Sequence, residues 1–376
     1  MTISEFRNTF PHIREGRIIF DHAALGPLCD KVRKSIDDYL DRRAVLYPEF
    51  FERFLVHERN AKEQLGKMFN VSKERISWCD NVSNGLNLLA QGINWKHGDR
   101  IILFDCEFPS NIYPFLNLEK QGVEIDFVKS RNGIFDQSDI EKLITPKTKL
   151  LSVSLVQFLS GFRADIKAIG EICLKHGIIY CVDGIQGAGV VDVDIPSSNI
   201  DFFVGGTQKW LMALMGLSYF YISEELQKKI DQKYVGWLSV ENSWNLLDYK
   251  LDLKKTADSF QTGTTHAIGI VALNSVLEIF HSFGIPEIKK NIIANSRYFI
   301  ERLIENGFNP ILKNITDENL AGIVSFPSEN SGELMMHLNK NGVIASVREG
   351  MVRFSPHFYN TKEEIDRVVS LISEWK

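Results

Sequence analysis

Between about residue 75 and residue 222, short β-branched and aromatic runs alternate with amphipathic stretches. The runs are RISW, RIILF, VEIDFV, KLLSVSLV, IIYCV, DFFV and GLSYFYI. Between several of them lie segments with helical spacing, such as SNGLNLLAQGI and DIKAIGEICLKHG. In the second, Asp165 is placed to cap the N-terminus and Gly177 follows the end. Near-continuously apolar strands alternating with helices predict an α/β fold, a mostly parallel seven-stranded sheet covered on both faces. Ahead of it come a short strand-like piece, RIIFDHAALGPL, and two helices over roughly 30–44 and 49–69. Behind it, THAIGIVALNSVLEIFHSFG predicts a long linking helix over about 265–283. The remainder mixes helices with the short strands GIVSF and MVRFS, which reads as a smaller C-terminal α+β domain. The expected division is a large domain over 20–255 and a small one formed by 1–19 and 256–376.

Composition narrows the classes. The chain has 376 residues and a formal net charge of -5, enough length for more than one domain and no basic excess for nucleic acid. The opening MTISEFRNTF lacks a basic region followed by an apolar one, and runs such as GLSYFYI are too short to span a bilayer. The five cysteines are scattered without a CxxC pair, so reduced, buried thiols in a cytoplasmic protein are expected, with no disulfide framework and no metal site.

In open α/β sheets, ligands sit beyond the carboxyl ends of the strands. After RISWCD comes Asn81-Val82-Ser83-Asn84-Gly85, which opens a helix. After RIILFDC comes Glu107-Phe108-Pro109-Ser110-Asn111, after KLLSVSLV comes Gln157, and after IIYCV comes Asp183-Gly184-Ile185-Gln186. After DFFV comes Gly205-Gly206-Thr207-Gln208-Lys209. Ser83 and Asn84 at a helix start suit a phosphate. Asp183, directly after an apolar strand, is a buried carboxylate in need of a partner. Phe108 offers a face to a flat ring. Lys209 in a dry pocket is a nucleophilic amine able to form a Schiff base. Taken singly, these residues also read as a helix cap, a turn aspartate, a core aromatic and a surface lysine. Together they describe a ligand with a phosphate, a flat ring carrying a basic nitrogen, and an aldehyde, which is pyridoxal 5'-phosphate.

At this point the sequence resembles the class V aminotransferases of fold-type I, a family that includes cysteine desulfurases, kynureninases and isopenicillin N epimerase-like proteins. The resemblance covers nearly the whole chain and rests above all on VDGIQGAGVVDVDI followed by DFFVGGTQKW. It implies that Asp183 binds the pyridine nitrogen, Gln186 the ring's phenolic oxygen, and that Lys209 carries the Schiff base. NVSNGLN resembles the phosphate-binding turn and assigns Ser83 and Asn84; CEFPSN resembles the segment whose aromatic stacks on the ring and assigns Phe108, where desulfurases have histidine. Gln157 falls where a polar residue reaches the ring oxygen, and Thr207 and Gln208 fall beside the phosphate. FQTGTTHAIGI resembles the element reaching the neighbouring subunit's phosphate, so Thr264 is expected to act across a homodimer interface. MVRFSPHFYNTKEEIDRVV resembles the motif whose arginine grips a substrate carboxylate, which assigns Arg353. Desulfurases carry a cysteine shortly before that arginine; NGVIASVREGMVRFS has none.

The reading is a pyridoxal-phosphate enzyme acting on an amino acid, with transamination as the default outcome. Epimerisation or racemisation and β-elimination share the same residues and stay open, as does a non-catalytic cofactor-binding relative. A dinucleotide loop at QGAGVV lacks the full glycine pattern. His22 is expected at the substrate mouth, with a satisfied turn histidine as the alternative; His357 is equally open. The Trp237–Trp244 stretch reads as pocket wall or as interface.

Overall fold

The computed structural model describes residues 1–45 and 50–375. Glu49, expected to start the second N-terminal helix, and the terminal Lys376 lie outside the described residues. Twelve strands are present among the described residues: β1 (Ile18–Ile19), β2 (Ile76–Cys79), β3 (Arg100–Phe104), β4 (Glu124–Val128), β5 (Thr148–Ser154), β6 (Ile179–Asp183), β7 (Phe202–Gly206), β8 (Ser218–Ile222), β9 (Val324–Pro327), β10 (Val343–Ile344), β11 (Ser346–Arg348) and β12 (Met351–Phe354). The seven predicted runs form one sheet in the order β2-β8-β7-β6-β5-β3-β4. Only β8 runs against its neighbours.

Strand residues are apolar on both faces because each face packs on a different core. Ile102, Phe104, Val182 and Phe203 point into one, with helices Phe50–Phe69, Ile166–His176 and Ala267–Phe283. Their neighbours Ile101, Leu103, Cys181, Phe202 and Val204 point into the other, under helix Val82–Gly92. Full burial of one such side chain contributes about 1.5–3 kcal/mol, so a sheet with a solvated face would forfeit several of them. Helix Ile166–His176 starts and stops where the sequence indicates: Asp165 accepts a hydrogen bond from the Ala168 amide, and Gly177 adopts a left-handed φ of 65°.

A third core joins β9, β11 and β12 to helices Ile285–Glu305, Ser331–Lys340 and Lys362–Glu374. The two short strands β10 and β11 were not legible as apolar runs; they are defined by pairing, β10 with β1 and β11 with β12. Through β1 the N-terminal segment is pinned to the C-terminal part, and the turn that follows reaches the lysine-bearing loop. There the Gly26 amide donates to the Gln208 carbonyl at 2.8 Å. A Cβ at Gly26 would lie 2.2 Å from the Lys209 carbonyl oxygen, so no side chain fits. Among the described residues no single helix is long and apolar enough to cross a membrane.

Candidate active site

Because β2, β3, β5, β6 and β7 run parallel, their carboxyl ends share one edge. Asp183 ends β6, pairing with Ser154 of β5 and Val204 of β7. Lys209 stands three residues beyond β7, in a tight turn. Thr207 holds that turn: its hydroxyl donates to the Leu214 and Leu217 carbonyls at 2.7 and 2.9 Å, and its own carbonyl accepts from the Ala213 amide. The Lys209 carbonyl accepts from the amide of Met212, which takes a left-handed φ of 48°.

The Lys209 amine lies 5.7 Å from the centre of the Phe108 ring. Phe108 is 43% exposed and meets Phe158 edge-on at 5.3 Å. Such an aromatic, open on one side beside a lysine, fits a flat ligand better than a core position. Burial pushes the Lys209 amine below its ordinary value; Asp183 opposes that shift, and Arg353 and Arg348 reinforce it. Asp183 is 2% exposed, accepts from the Ile185 amide at 3.0 Å, and has no cation within salt-bridge distance among the described residues. Burial drives its carboxyl up, against the pull of the Ile185 amide, and nearby Glu107 drives it further.

Arg353 lies on β12 opposite Ser346 and Ser325. It is buried, donates from Nε to Ser346 Oγ at 3.2 Å and from Nη1 to the Phe158 carbonyl at 2.7 Å, and has Nη2 3.9 Å from Asp21 Oδ1. Desolvation lowers its pKa to about 10, with Asp21 opposing. Gln157 is buried beside Phe158, its amide nitrogen donating to Glu107 at 2.8 Å. At the start of helix Val82–Gly92, Asn81 caps the Asn84 amide at 2.9 Å, the Ser83 hydroxyl donates to Ser110 at 2.8 Å, and the Asn84 side chain stands beside Asp80. Gly85 brings this helix against β7, where a Cβ would meet Val204 at 2.8 Å.

The structure thus gathers Asp183, Lys209, Phe108, Gln157, Arg353 and the helix bearing Ser83 and Asn84. Other expected residues are placed differently. Gln186 is buried, donating to the Ala23 carbonyl at 3.0 Å and accepting from the Trp210 indole at 2.8 Å, so both ends of its amide are engaged by protein. The Thr207 hydroxyl is spent on its turn, whereas the Gln208 side chain remains half-buried beside Lys209. His22 is not at a substrate mouth. It is fully buried, with Nδ1 at 2.9 Å from the Ser355 carbonyl oxygen and Nε2 at 2.8 Å from the Tyr359 hydroxyl, which makes it the satisfied turn histidine. His357 is likewise enclosed, contacting the Trp210 carbonyl and the Phe358 amide.

Thr264 is exposed and lines two cavities, neither of which contains Lys209 or Asp183. One, of about 880 Å3, it shares with Asn84; the other, of about 800 Å3, with Trp237, Trp244, Phe51 and Phe54. The two tryptophans meet edge-on at 5.3 Å. Sequence reasoning gave no role to Glu107 or Asp21, although both follow apolar runs; their burial and partners become visible only in three dimensions.

These groups fit pyridoxal phosphate: a buried carboxylate with no cationic partner for the ring nitrogen, an amine over an aromatic face for the aldehyde, and the start of an 11-residue helix for the phosphate. The family model for aminotransferase class-V matches residues 18–368. The chain belongs to the aminotransferase class-V family. It is a pyridoxal-phosphate-dependent enzyme. Among its relatives is the "uncharacterized aminotransferase YcbU" of Bacillus subtilis, 25% identical over 98% of this chain and 97% of that protein. A "probable cysteine desulfurase" of Methanothermobacter thermautotrophicus is 25% identical over 84% of this chain and 83% of its own. Among solved structures, the apo cysteine desulfurase from Thermococcus onnurineus NA1 superposes with a TM-score of 0.90 at 23% identity, over 100% of this chain and 98% of that one. A lysine-to-alanine mutant of C-DES, solved with glycine covalently linked to its PLP cofactor, superposes with a TM-score of 0.89 at 20% identity, over 98% of this chain and 99% of that one. At these identities the superpositions establish the fold, a fold-type I architecture, and no more.

Proposed function

We propose that this class V enzyme is an aminotransferase acting on an amino acid. The bound cofactor supplies an electron sink for a bond at the substrate Cα. Lys209 would hold the cofactor through its amine and, when that amine is free, would act as the base that moves the Cα proton. Its depressed basicity suits both tasks near neutral pH. Asp183 would hold the ring nitrogen protonated, Phe108 would cover the ring face, and Gln157 would reach the ring oxygen. The helix start at Ser83 and Asn84, with Gln208, would hold the phosphate. Arg353 offers its planar guanidinium to the substrate carboxylate.

The observation that carries transamination over desulfuration is the thiol inventory. A persulfide-forming enzyme needs an accessible thiolate. Residues 341–350 contain no cysteine, and the five thiols lie elsewhere: Cys29, Cys173 and Cys181 buried, Cys79 and Cys106 half-buried. Burial and a neighbouring carboxylate push both Cys79 and Cys106 up to about 12, so neither is ionised near pH 7.

The same reading makes the enzyme a cytoplasmic homodimer, with Thr264 reaching the partner's phosphate site. It divides the chain into a cofactor domain over 20–255 and a small domain from 1–19 and 256–376, linked by the helix that includes 267–283. The test is single-turnover spectroscopy with a panel of amino acids. Conversion of bound cofactor to its amine form, with release of a 2-oxo acid, supports the reading. Release of pyruvate with ammonia, or inversion at Cα without conversion, would replace it with a lyase or an epimerase.

A further inference from the structure

Trp210 follows the lysine directly and is fully buried. Its indole N–H donates to Gln186 Oε1 at 2.8 Å, three residues beyond Asp183. A Cβ at Gly322 would lie 2.1 Å from its ring, so the indole is enclosed on that side as well. The Trp210 carbonyl belongs to the Lys209 turn, and a side chain from the far end of the chain meets it. His357 Nε2 stands 3.0 Å from that oxygen.

The neighbour on the other side of the imidazole fixes where its proton sits. The Phe358 amide lies 2.9 Å from His357 Nδ1, and a backbone N–H can only donate. Nδ1 is therefore the acceptor, and the neutral ring carries its one proton on Nε2, where the Trp210 carbonyl takes it. A charged ring would set N–H against N–H at Phe358, and burial also pushes the ring down to about 4. The backbone that carries the ring is held too. The His357 amide donates to Asn360 Oδ1 at 2.7 Å, and its carbonyl accepts from Asn295 Nδ2 at 3.1 Å, on helix Ile285–Glu305.

We propose that His357 is a positioning residue: by donating to the Trp210 carbonyl it keeps the Lys209 turn in place against the segment that bears Asp183. Trp210 is the shared part, joined to Gln186 through its indole and to Lys209 through the chain. The proposal rests on the reading of Lys209 as the amine that holds the cofactor. Bond formation demands that amine in a narrow geometry, whereas non-covalent binding tolerates a looser turn. Loss of the His357 donor should therefore slow covalent capture and leave non-covalent affinity in place.

The test compares two probes on apo protein. Pyridoxal 5'-phosphate needs the lysine amine; pyridoxamine 5'-phosphate lacks the aldehyde and cannot bond to it. His357→Gln keeps an N–H within reach of the Trp210 carbonyl, and His357→Met fills similar space without a donor. Both lose the ring acceptor at Nδ1, so the donor is what separates them. In His357→Met the rate of borohydride-trapped attachment at Lys209, followed by peptide mass mapping, falls by roughly three- to tenfold, the weight of one ordinary hydrogen bond. Its Kd for pyridoxamine phosphate, read from tryptophan fluorescence, stays within about twofold of the parent, and His357→Gln stays within about twofold on both readouts. A purely structural role would weaken capture and pyridoxamine phosphate binding alike; that result, or equal capture rates in the two variants, overturns the proposal. If His357→Met does not fold, His357→Asn takes its place with the same expectations, since it can accept from the Phe358 amide but is too short to reach Trp210. A parent that forms no adduct at Lys209 overturns the Lys209 reading and this proposal with it; an adduct that forms equally fast in every variant overturns the proposal alone.

Discussion

Asp183→Asn is expected to stabilise the cofactor-free protein while crippling the loaded one. Asparagine keeps the size and can still accept from the Ile185 amide, but it removes a negative charge buried to 2% exposure. The carboxyl is held well above the ordinary carboxylate range by burial. A group whose folded pKa is raised in this way costs nothing below its unfolded value near 4, and costs most once pH has risen through the folded value. Apo parent protein therefore loses stability as pH climbs from about 4 toward neutrality, and the asparagine variant does not. Lys209 offsets part of the cost, so the penalty at pH 8 is on the order of 2–4 kcal/mol. For a chain of this length, with an unfolding entropy near 2 cal/mol/K per residue, that corresponds to roughly 3–5 °C in Tm. In the holoenzyme the sign reverses, because removing the anionic partner of a buried cationic ring would cost about 3–5 kcal/mol, or roughly 10²- to 10⁴-fold in kcat/KM. The assay is differential scanning fluorimetry of apo parent and variant between pH 5 and pH 8, alongside single-turnover kinetics of the loaded forms. An apo variant melting below the parent at pH 8, or two parallel pH profiles, would refute the reasoning.

Lys209→Ala is expected to abolish the borohydride-stable adduct in peptide mass mapping; an adduct that survives moves the Schiff base to another lysine. Arg353→Lys replaces a planar fork by a point charge and should raise KM for amino acids by roughly 10- to 100-fold, while an amine lacking the carboxylate is unaffected; equal losses for both would remove Arg353 from carboxylate binding. Gly26→Ala places a methyl group where the Lys209 carbonyl stands, so urea titration should show a loss of about 2–4 kcal/mol and the cofactor absorbance should fall with it; a silent variant would mean that the N-terminal turn does not brace the lysine loop. His22→Ala strands the Tyr359 hydroxyl, so Tm falls by a few degrees with the kinetic pH profile unchanged. Burial holds His22 well below its ordinary value and His357 near 4, which favours the neutral ring in both; a pKa lost from the profile in His22→Ala would restore that residue to the chemistry.

Hydrophobic periodicity alone determined the seven central strands, since each run must be apolar on both faces to lie between two cores, and the chain shows those runs without help from distant residues. Asp183 and Lys209 were legible for the same reason: one ends an apolar strand and the other follows one within a few residues, so both land on the sheet's carboxyl edge wherever the other strands go. Tertiary structure decided what periodicity cannot encode. β10 and β11 exist only through their partners. The fates of His22, Gln186 and Thr207 depended on which carbonyls and rings lay near them, and those come from segments up to 337 residues away. Glu107 was in view from the start among the residues after β3, but its hold on Gln157 requires β5 to lie beside β3, a contact that sheet order creates and local sequence does not carry.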